Sequence, residues 1–495
     1  MSRVSIIHGA LYTQCPSDPL QKTTYLPLSR LAIAGRFWYL LIVLNADYCS
    51  QGEHMDDLDR HIADLERQLL TLKQRRAAKQ AESPSAASLP FRTSQSPLHN
   101  PLPLQGIRIV DMSRFLVGPF CTQMLADMGA EVIKVEPVDG GDPVRAAGSY
   151  ALSGESLFFL ARNRNKRSLA LDLRQEAGRE IVYRLIQTAD VFMENFRPGV
   201  AEKLGFGYDI LTHYTPDLIY CAVSGYGQKG PHRDRPGQDL LIQGLSGLIS
   251  ITGWEDGRPT TVGTFVADMV GAFHCAYGIA IALLARARLG IGQKLEVSLL
   301  DSLIALQAVE ATTYLNTGKV PKKAGAGHGL VPPPYRVFET SEGALVIVAP
   351  SEEWWQRLCQ VPPLQDICAD PRFASRESRA ANEAILNTLL EERFRSQSAA
   401  EWLALLAEHD VLAAPVYTYK ELFDDQQVMT NEMVVTQEHP MAGRIKVIGI
   451  PVKLTRTPGQ IRTPAPLLGQ HTDEILTGLG YGMGEIARLR EARVI

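Results

Sequence analysis

The sequence predicts an α/β fold around a parallel sheet. Short, almost wholly apolar runs alternate with helical stretches from about residue 102 onward. Strands buried on both faces read as such continuous runs, and a strand-helix-strand order is that of a parallel unit. IRIVDM is the first strand, RFLVGPFCTQMLADMG turns into a helix closed by Gly129, and EVIKVEP is the second strand. SLALDL, a helix at 175–188 and ADVFM repeat the order. LIYCAVSGYG, the long helix after Asp268 and IGQKLEVSLLDSLIALQAVEATTYL extend it.

From about Val331 the texture changes. PYRVFETSEGALVIVAP alternates like a hairpin, and EEWWQRLCQ, RESRAANEAILNTLLEERF and SAAEWLALLAEHD read as short helices. These place a small α+β domain at 331–430, followed by a tail, 431–495, with strand-like and then helical character. Residues 1–101 are an extension with no clear pattern up to about 54. Leu58, Ile62, Leu65, Leu69 and Leu72 then mark an amphipathic helix at about 56–80. A Ser/Pro-rich linker follows it.

Bulk properties narrow the classes of function. The chain has 495 residues, 45% of them hydrophobic and 21% charged, and a net charge of -4. That balance gives no general attraction to nucleic acid or anionic lipid, and neither is expected as a partner. The seven cysteines lie far apart with no CxxC pair, which argues against a disulfide scaffold or zinc site and for a reducing compartment. The amino terminus lacks the order of a secretory signal. FWYLLIVL is too short to span a bilayer, and the run after Asp268, interrupted by His274, reads as buried helix. The expectation is a cytoplasmic protein without a membrane partner.

The turn after the first strand, SRFLVGPFCTQM, holds the single Gly118 in place of a GxGxxG, no GxxxxGK[ST], HExxH or GxSxG pattern occurs, and metal ligands are not clustered. ARNRNKRSLALD sets Arg162, Arg164, Lys166 and Arg167 before a strand, with Arg174 after it. That run reads either as a phosphate grip or as a solvated basic loop. Asn195 and Phe196 stand just past ADVFM, and SGYGQKGP just past LIYCA. Ligands lie at the carboxyl ends of strands in open sheets, so an Asn with an aromatic there suits a purine. Asp268 opens an apolar stretch, where it serves as a helix cap kept ionised by backbone N–H groups or as a catalytic carboxylate.

Several ordered blocks carry a resemblance: LQGIRIVDMSRFLVGPFCTQMLADMGAEVIKVEPVDGGDPVR, ARNRNKRSLALDL, DVFMENFRPG, LIYCAVSGYGQKGP, DLLIQGLSGLISITG, FVADMVGAFHCAYGIAIALLARARLGIGQKLEVSLLD and PYRVFETSEGALVIVA. Over about 102–490 the chain resembles the class III CoA-transferases, which include formyl-CoA and carnitine CoA-transferases and the α-methylacyl-CoA racemases. The resemblance implies a Rossmann-like large domain built from 102–330 and 431–495, a small domain, and a homodimer of interlocked rings. It implies coenzyme A and acyl-CoA as substrates, a carboxylic acid as acceptor, and no tightly bound cofactor or metal.

By the same likeness Asp268 is the nucleophile. It attacks the donor thioester to give an aspartyl-acyl anhydride, and the freed thiolate converts that to an aspartyl-CoA thioester. The acceptor carboxylate then attacks, and the returning thiolate takes the new acyl group. Coenzyme A contacts carry over to Phe115, Leu116, Asn195, Phe196, Lys203, Ser224 and Tyr226. Leu116 replaces a glutamine of formyl-CoA transferase, Pro137 an arginine, Ser224 a lysine, and Lys203 another arginine, so the formyl/oxalyl assignment weakens. Gly325, Gly327 and Gly329 lie near the family's mobile glycine loop. The racemase alternative needs a histidine where this chain has Gln238, and glutamine is no acid/base near neutral pH. A non-catalytic CoA-binding protein is the other alternative. The acyl-CoA donor expected is succinyl-CoA or another dicarboxylyl-CoA.

Overall fold

In a computed structural model, which describes residues 4–7, 10–13 and 101–495, the apolar runs pair into one six-stranded parallel sheet. Strand β1 (Arg108–Asp111) leads through α1 (Val117–Asp127) to β2 (Glu131–Glu136). Next come β3 (Lys166–Ala170), α2 (Glu176–Ile186) and β4 (Val191–Glu194). Then β5 (Ile219–Ser224), α3 (Asp239–Leu245), α4 (Val266–Leu289), β6 (Lys294–Ser298) and α5 (Leu299–Leu306) complete the run. The spatial order is β3-β2-β1-β4-β5-β6, that of doubly wound nucleotide-binding sheets. The α/β expectation with a parallel core therefore holds.

Alternate strand residues go to opposite faces. Ile109, Val132, Val191 and Cys221 pack with α1 and α4, while Val110, Ile133, Phe192 and Tyr220 pack with α2. Both faces are covered, which is why the strands carry no polar alternation. The strand order reverses between β1 and β4, and in open α/β sheets the carboxyl ends at such a reversal are where ligands bind.

Helix α4 is long and apolar enough, by length and composition, to cross a membrane. One side, with Ala267, Ala272, Cys275, Ile279 and Ala282, packs into the core on one face of the six-stranded sheet. Its last turn holds Arg286, which pairs with Asp190 at 2.6 Å and complements the helix carboxyl end.

A second sheet, three-stranded and antiparallel, is formed by β7 (Tyr335–Glu339), β8 (Ala344–Val348) and, later in the chain, β9 (Ala413–Pro415). Between β8 and β9 lie α6 (Glu352–Gln360), α7 (Glu383–Phe394) and α8 (Ala399–Glu408). Phe338, Trp355, Phe394 and Trp402 centre its core, and the Trp402 indole N–H donates to Phe394 O at 2.8 Å. Cys359 and Cys368 are joined in a disulfide with a Cα separation of 5.5 Å, a pairing the sequence reading did not foresee. It spans nine residues and is a local staple rather than a scaffold.

After the hairpin β10 (Val434–His439) and β11 (Gly443–Ile448), the chain returns to the large sheet as α9 (Thr472–Gly478) and α10 (Met483–Glu491). Ile475, Leu476, Ile486 and Val494 fill the α2 face, and Asp172 N–H donates to Val494 O at 2.8 Å. Residues Met1–Ser94 form a separate unit. Within it Val4–Ile7 pairs antiparallel with Ala10–Thr13, an element the sequence reading did not find. The amphipathic helix at 56–80 and the FWYLLIVL run lie outside the described residues.

Candidate active site

At the strand reversal the candidate site is built around three residues after β1, Ser113 to Phe115. Ser113 N–H donates to Asp111 Oδ1 at 2.9 Å, and Lys134 Nζ donates to Ser113 O at 2.8 Å. Arg114 is held at both ends by one side chain: its N–H donates to Asn195 Oδ1 at 2.8 Å, and Asn195 Nδ2 donates to its carbonyl at 2.6 Å. Phe115 N–H donates to Asp142 Oδ1 at 3.1 Å. These bonds hold Phe115 at φ 64°, a left-handed conformation that a bulky side chain adopts only under such constraint. The Phe115 ring is half-exposed. Arg114 lies over Phe196, its guanidinium carbon 5.3 Å from the ring centroid.

The structure thus brings Phe115, Leu116, Asn195 and Phe196 together. Leu116 is buried at the N-cap of α1 and offers apolar surface only. Lys203 stands exposed at the end of the short helix Val200–Lys203. Ser224 ends β5, and its Oγ accepts Gly227 N–H at 3.1 Å. Tyr226 donates its hydroxyl to Pro236 O at 3.4 Å. Gly225 and Gly237 cross there so closely that a Cβ on either would stand 2.5–2.6 Å from the other's Cα. That crossing ties the turn after β5 to the segment entering α3. Gly325 lies against the Trp254 ring, and its N–H donates to Gly253 O at 3.0 Å.

The buried Glu194 was missed at the sequence level. It ends β4 and accepts Phe196 N–H at 2.7 Å, while burial pushes its carboxyl up to about 8. Its hydrogen bond fixes the Asn195–Phe196 turn.

The cationic run is not a phosphate grip as a whole, nor a solvated loop. Arg164 Nη2 meets Asp127 at 2.7 Å, and Lys166 meets Asp111 at 3.1 Å with both side chains fully buried. Arg167 bridges Glu131 at 2.5 Å and Glu474 at 3.0 Å, and Arg174 pairs with Asp172 at 2.8 Å. Those charges are spent on the fold. The exception is Arg162, whose guanidinium lies 5.8 Å from the Phe158 ring centroid and whose charge faces Asp268. Phe158 in turn meets Phe265, the N-cap of α4, edge-on at 5.7 Å.

Asp268 occupies the first turn of α4 and is half-buried. Three residues on, Gly271 abuts the start of α1: a Cβ there would stand 3.3 Å from Val117 Cγ2. The nucleophile candidate thus lies at the same sheet edge as the Phe115 loop. It does not cap its own helix, contrary to the capping alternative. Asp239 Oδ1 instead accepts the N–H groups of Ala267 at 2.7 Å and Asp268 at 3.2 Å. Burial, followed by the like charge of Asp239, pushes the Asp268 carboxyl up to about 7 against the pull of Arg162. The backbone-stabilised, low-pKa carboxylate expected of a cap is therefore corrected. Asp239 directly follows Gln238, and an Asp entering an apolar helix was the signal available for it. Among the described residues no cluster of three or more His, Cys, Asp or Glu is placed to hold a metal ion.

CoA-transferase family III matches residues 104–472. The succinyl-CoA:glutarate CoA-transferase of Mus musculus is 38% identical over 402 residues, covering 81% of this chain and 92% of that protein. The succinyl-CoA–D-citramalate CoA-transferase of Chloroflexus aurantiacus is 35% identical over 407 residues, covering 81% and 100%. A crystal structure of a CAIB/BAIF family protein from Brucella suis aligns with a TM-score of 0.69 and 35% identity, covering 77% of this chain and 100% of that one.

Proposed function

This chain belongs to CoA-transferase family III and is an enzyme of CoA transfer; we propose that it uses a dicarboxylyl-CoA donor, succinyl-CoA first, with Asp268 as its nucleophile. The Asp268 carboxylate attacks the donor thioester carbonyl and expels the CoA thiolate, leaving an aspartyl-acyl anhydride. The thiolate attacks the aspartyl carbonyl, which releases the donor acid and forms an aspartyl-CoA thioester. The acceptor carboxylate displaces the thiolate again, and the thiolate finally takes the acceptor acyl group and regenerates Asp268. The observation that carries this reading is a half-buried carboxyl in the first turn of α4, free of capping duty because Asp239 takes the leading N–H groups, and pushed up by burial beside the Arg162 cation. The adenosine end of coenzyme A is assigned to Phe115, Asn195 and Phe196.

The donor class rests on the succinyl-CoA named for both relatives and on the Arg162 cation beside Asp268. With a panel of acyl-CoA donors and carboxylic acid acceptors read by mass spectrometry, kcat/KM for succinyl-CoA is expected to exceed that for acetyl-CoA by about tenfold or more. Equal or reversed preference removes the dicarboxylyl assignment, and α-deuterium exchange without transfer favours a racemase.

The homodimer is part of this proposal. Phe273, Tyr277, Ile281 and Leu284 form a stripe on the outer side of α4, each between 48% and 68% exposed. Leu240, Leu241 and Leu245 of α3 are exposed as well. Apolar surface of this extent is normally covered by a partner, and a second copy is the partner the resemblance implies. The double variant Tyr277→Glu, Ile281→Lys is expected to shift the protein from dimer to monomer or aggregate in sedimentation velocity. An unchanged wild-type-like dimer would place the interface elsewhere.

A further inference from the structure

We infer that Asp239 is a positioning residue for Asp268 with two duties: it takes the leading N–H groups of α4, so that both Asp268 oxygens stay free to face substrate, and it sets its own negative charge beside that carboxyl. The inference rests on Asp268 being the nucleophile. A first-turn aspartate ordinarily finds its acceptor duty at its own helix end. Here Asp239, itself buried, accepts from Ala267 and Asp268 with Oδ1. Its Oδ2 accepts from Gln243 Nε2 at 2.6 Å, one turn along α3. Gln243 reaches onward: Oε1 accepts Val262 N–H at 3.0 Å, and Nε2 approaches Thr264 O at 3.4 Å. Two side chains of one short helix thus staple the whole approach to α4, 262–268. The Gly225–Gly237 crossing sets the position of that short helix against the turn after β5.

A plain structural cap would account for the hydrogen bonds but needs no charge, and charge is what separates the two roles. The charged groups facing Asp268 are Asp239 from α3 and Arg162 from the segment after Phe158. Elsewhere α4 meets Val117 and Cys121 of α1, Cys221 and Val223 of β5, Leu295 and Val297 of β6, and Leu299 and Leu303 of α5. The thiols of Cys121, Cys221 and Cys275 are buried and pushed up, hence neutral. Asp239 and Arg162 therefore act on Asp268 with opposite signs. Removing the like charge lowers the pH at which Asp268 ionises, and removing the cation raises it.

The test is the acid limb of kcat/KM against pH for the full-length chain with succinyl-CoA. Asp239→Asn is expected to move that limb to lower pH by about one unit, and Arg162→Met to move it to higher pH. Asp239→Ser, which keeps an acceptor for the two N–H groups without charge, should repeat the Asn result. If Asp239→Asn or Asp239→Ser lowers activity equally at every pH, Asp239 is only a cap and the inference fails. If neither variant folds by circular dichroism, Asp239 belongs to the fold alone and the inference fails as well. Full transfer by Asp268→Asn would instead overturn the nucleophile reading, a separate result.

Discussion

Asp268→Asn is expected to fold and to bind coenzyme A, yet to lose CoA transfer by about a thousandfold or more, because the covalent route has no other nucleophile at that position. Asn preserves shape and cannot form the anhydride. A trapping experiment gives the complementary readout: with donor present, hydroxylamine should cleave the aspartyl-CoA thioester, releasing CoA and leaving a hydroxamate at Asp268 in the native chain and none in the variant. The same substitution should raise stability. The Asp268 carboxyl is pushed from its ordinary 3.8 up to about 7, so the folded state disfavours its ionised form. That penalty is absent below about pH 4, grows as pH rises, and is complete above about 7. The variant should therefore melt higher than the native chain at pH 8, by on the order of 2 kcal/mol after allowance for partial exposure, with the gap closing toward pH 4. A variant that retains transfer, or that is no more stable at pH 8 than at pH 4 relative to the native chain, contradicts this account. A site that costs stability and supplies function is what the trade-off between the two requires.

Asp111→Ala is expected to destabilise the fold by about 3–5 kcal/mol, the usual result of removing one partner from a buried ion pair. Asp111 sits fully buried among Lys166, Ser113 and Thr122, and Thr122 Oγ1 donates to it at 2.6 Å. Without it, Lys166 keeps only the neutral acceptors Pro119 O at 2.8 Å and Asn163 Oδ1 at 3.0 Å. Lys134 keeps Asp142 at 2.9 Å, so the loss concentrates on Lys166. Burial already holds the Lys166 ammonium down at about 8, and losing the carboxylate lowers it further. The pH dependence has the opposite sign from that of Asp268. Asp111 opposes its own burial through Lys166 and Lys134 and is held at about 2, so its contribution is full above about pH 4 and is lost between about 4 and 2. The double variant Asp111→Asn, Lys166→Met should recover much of the single variant's loss in thermal melts. A double variant as unstable as Asp111→Ala would mean that the pair is not the source. The function is reached too, because Ser113 N–H and the Lys134 ammonium hold the backbone that shapes Phe115.

Much of this molecule was legible in the chain. IRIVDM, EVIKVEP and ADVFM are strands because burial on both sides leaves no place for polar alternation, and that constraint is local. The turns after β1, β4 and β5 carry Phe115, Asn195, Phe196, Ser224 and Tyr226 at the carboxyl edge, which follows from strand direction alone. Asp268 stood out because an ionisable oxygen in an apolar run is costly, wherever the helix packs.

Pairing was not legible. ARNRNKR carries the same charges whether it grips a phosphate or holds the core together. The difference lies with Asp127, 37 residues from Arg164, and Asp111, 55 residues from Lys166. Asp239 likewise reaches Asp268 across 29 residues of chain. By itself the sequence determined the strands, the edge where a ligand lies and the carboxylate that does not belong in an apolar helix. Only the tertiary structure decided which charges neutralise one another and which remain for chemistry, because Coulomb and desolvation energies depend on distance through space and on burial, and neither is a property of position along the chain.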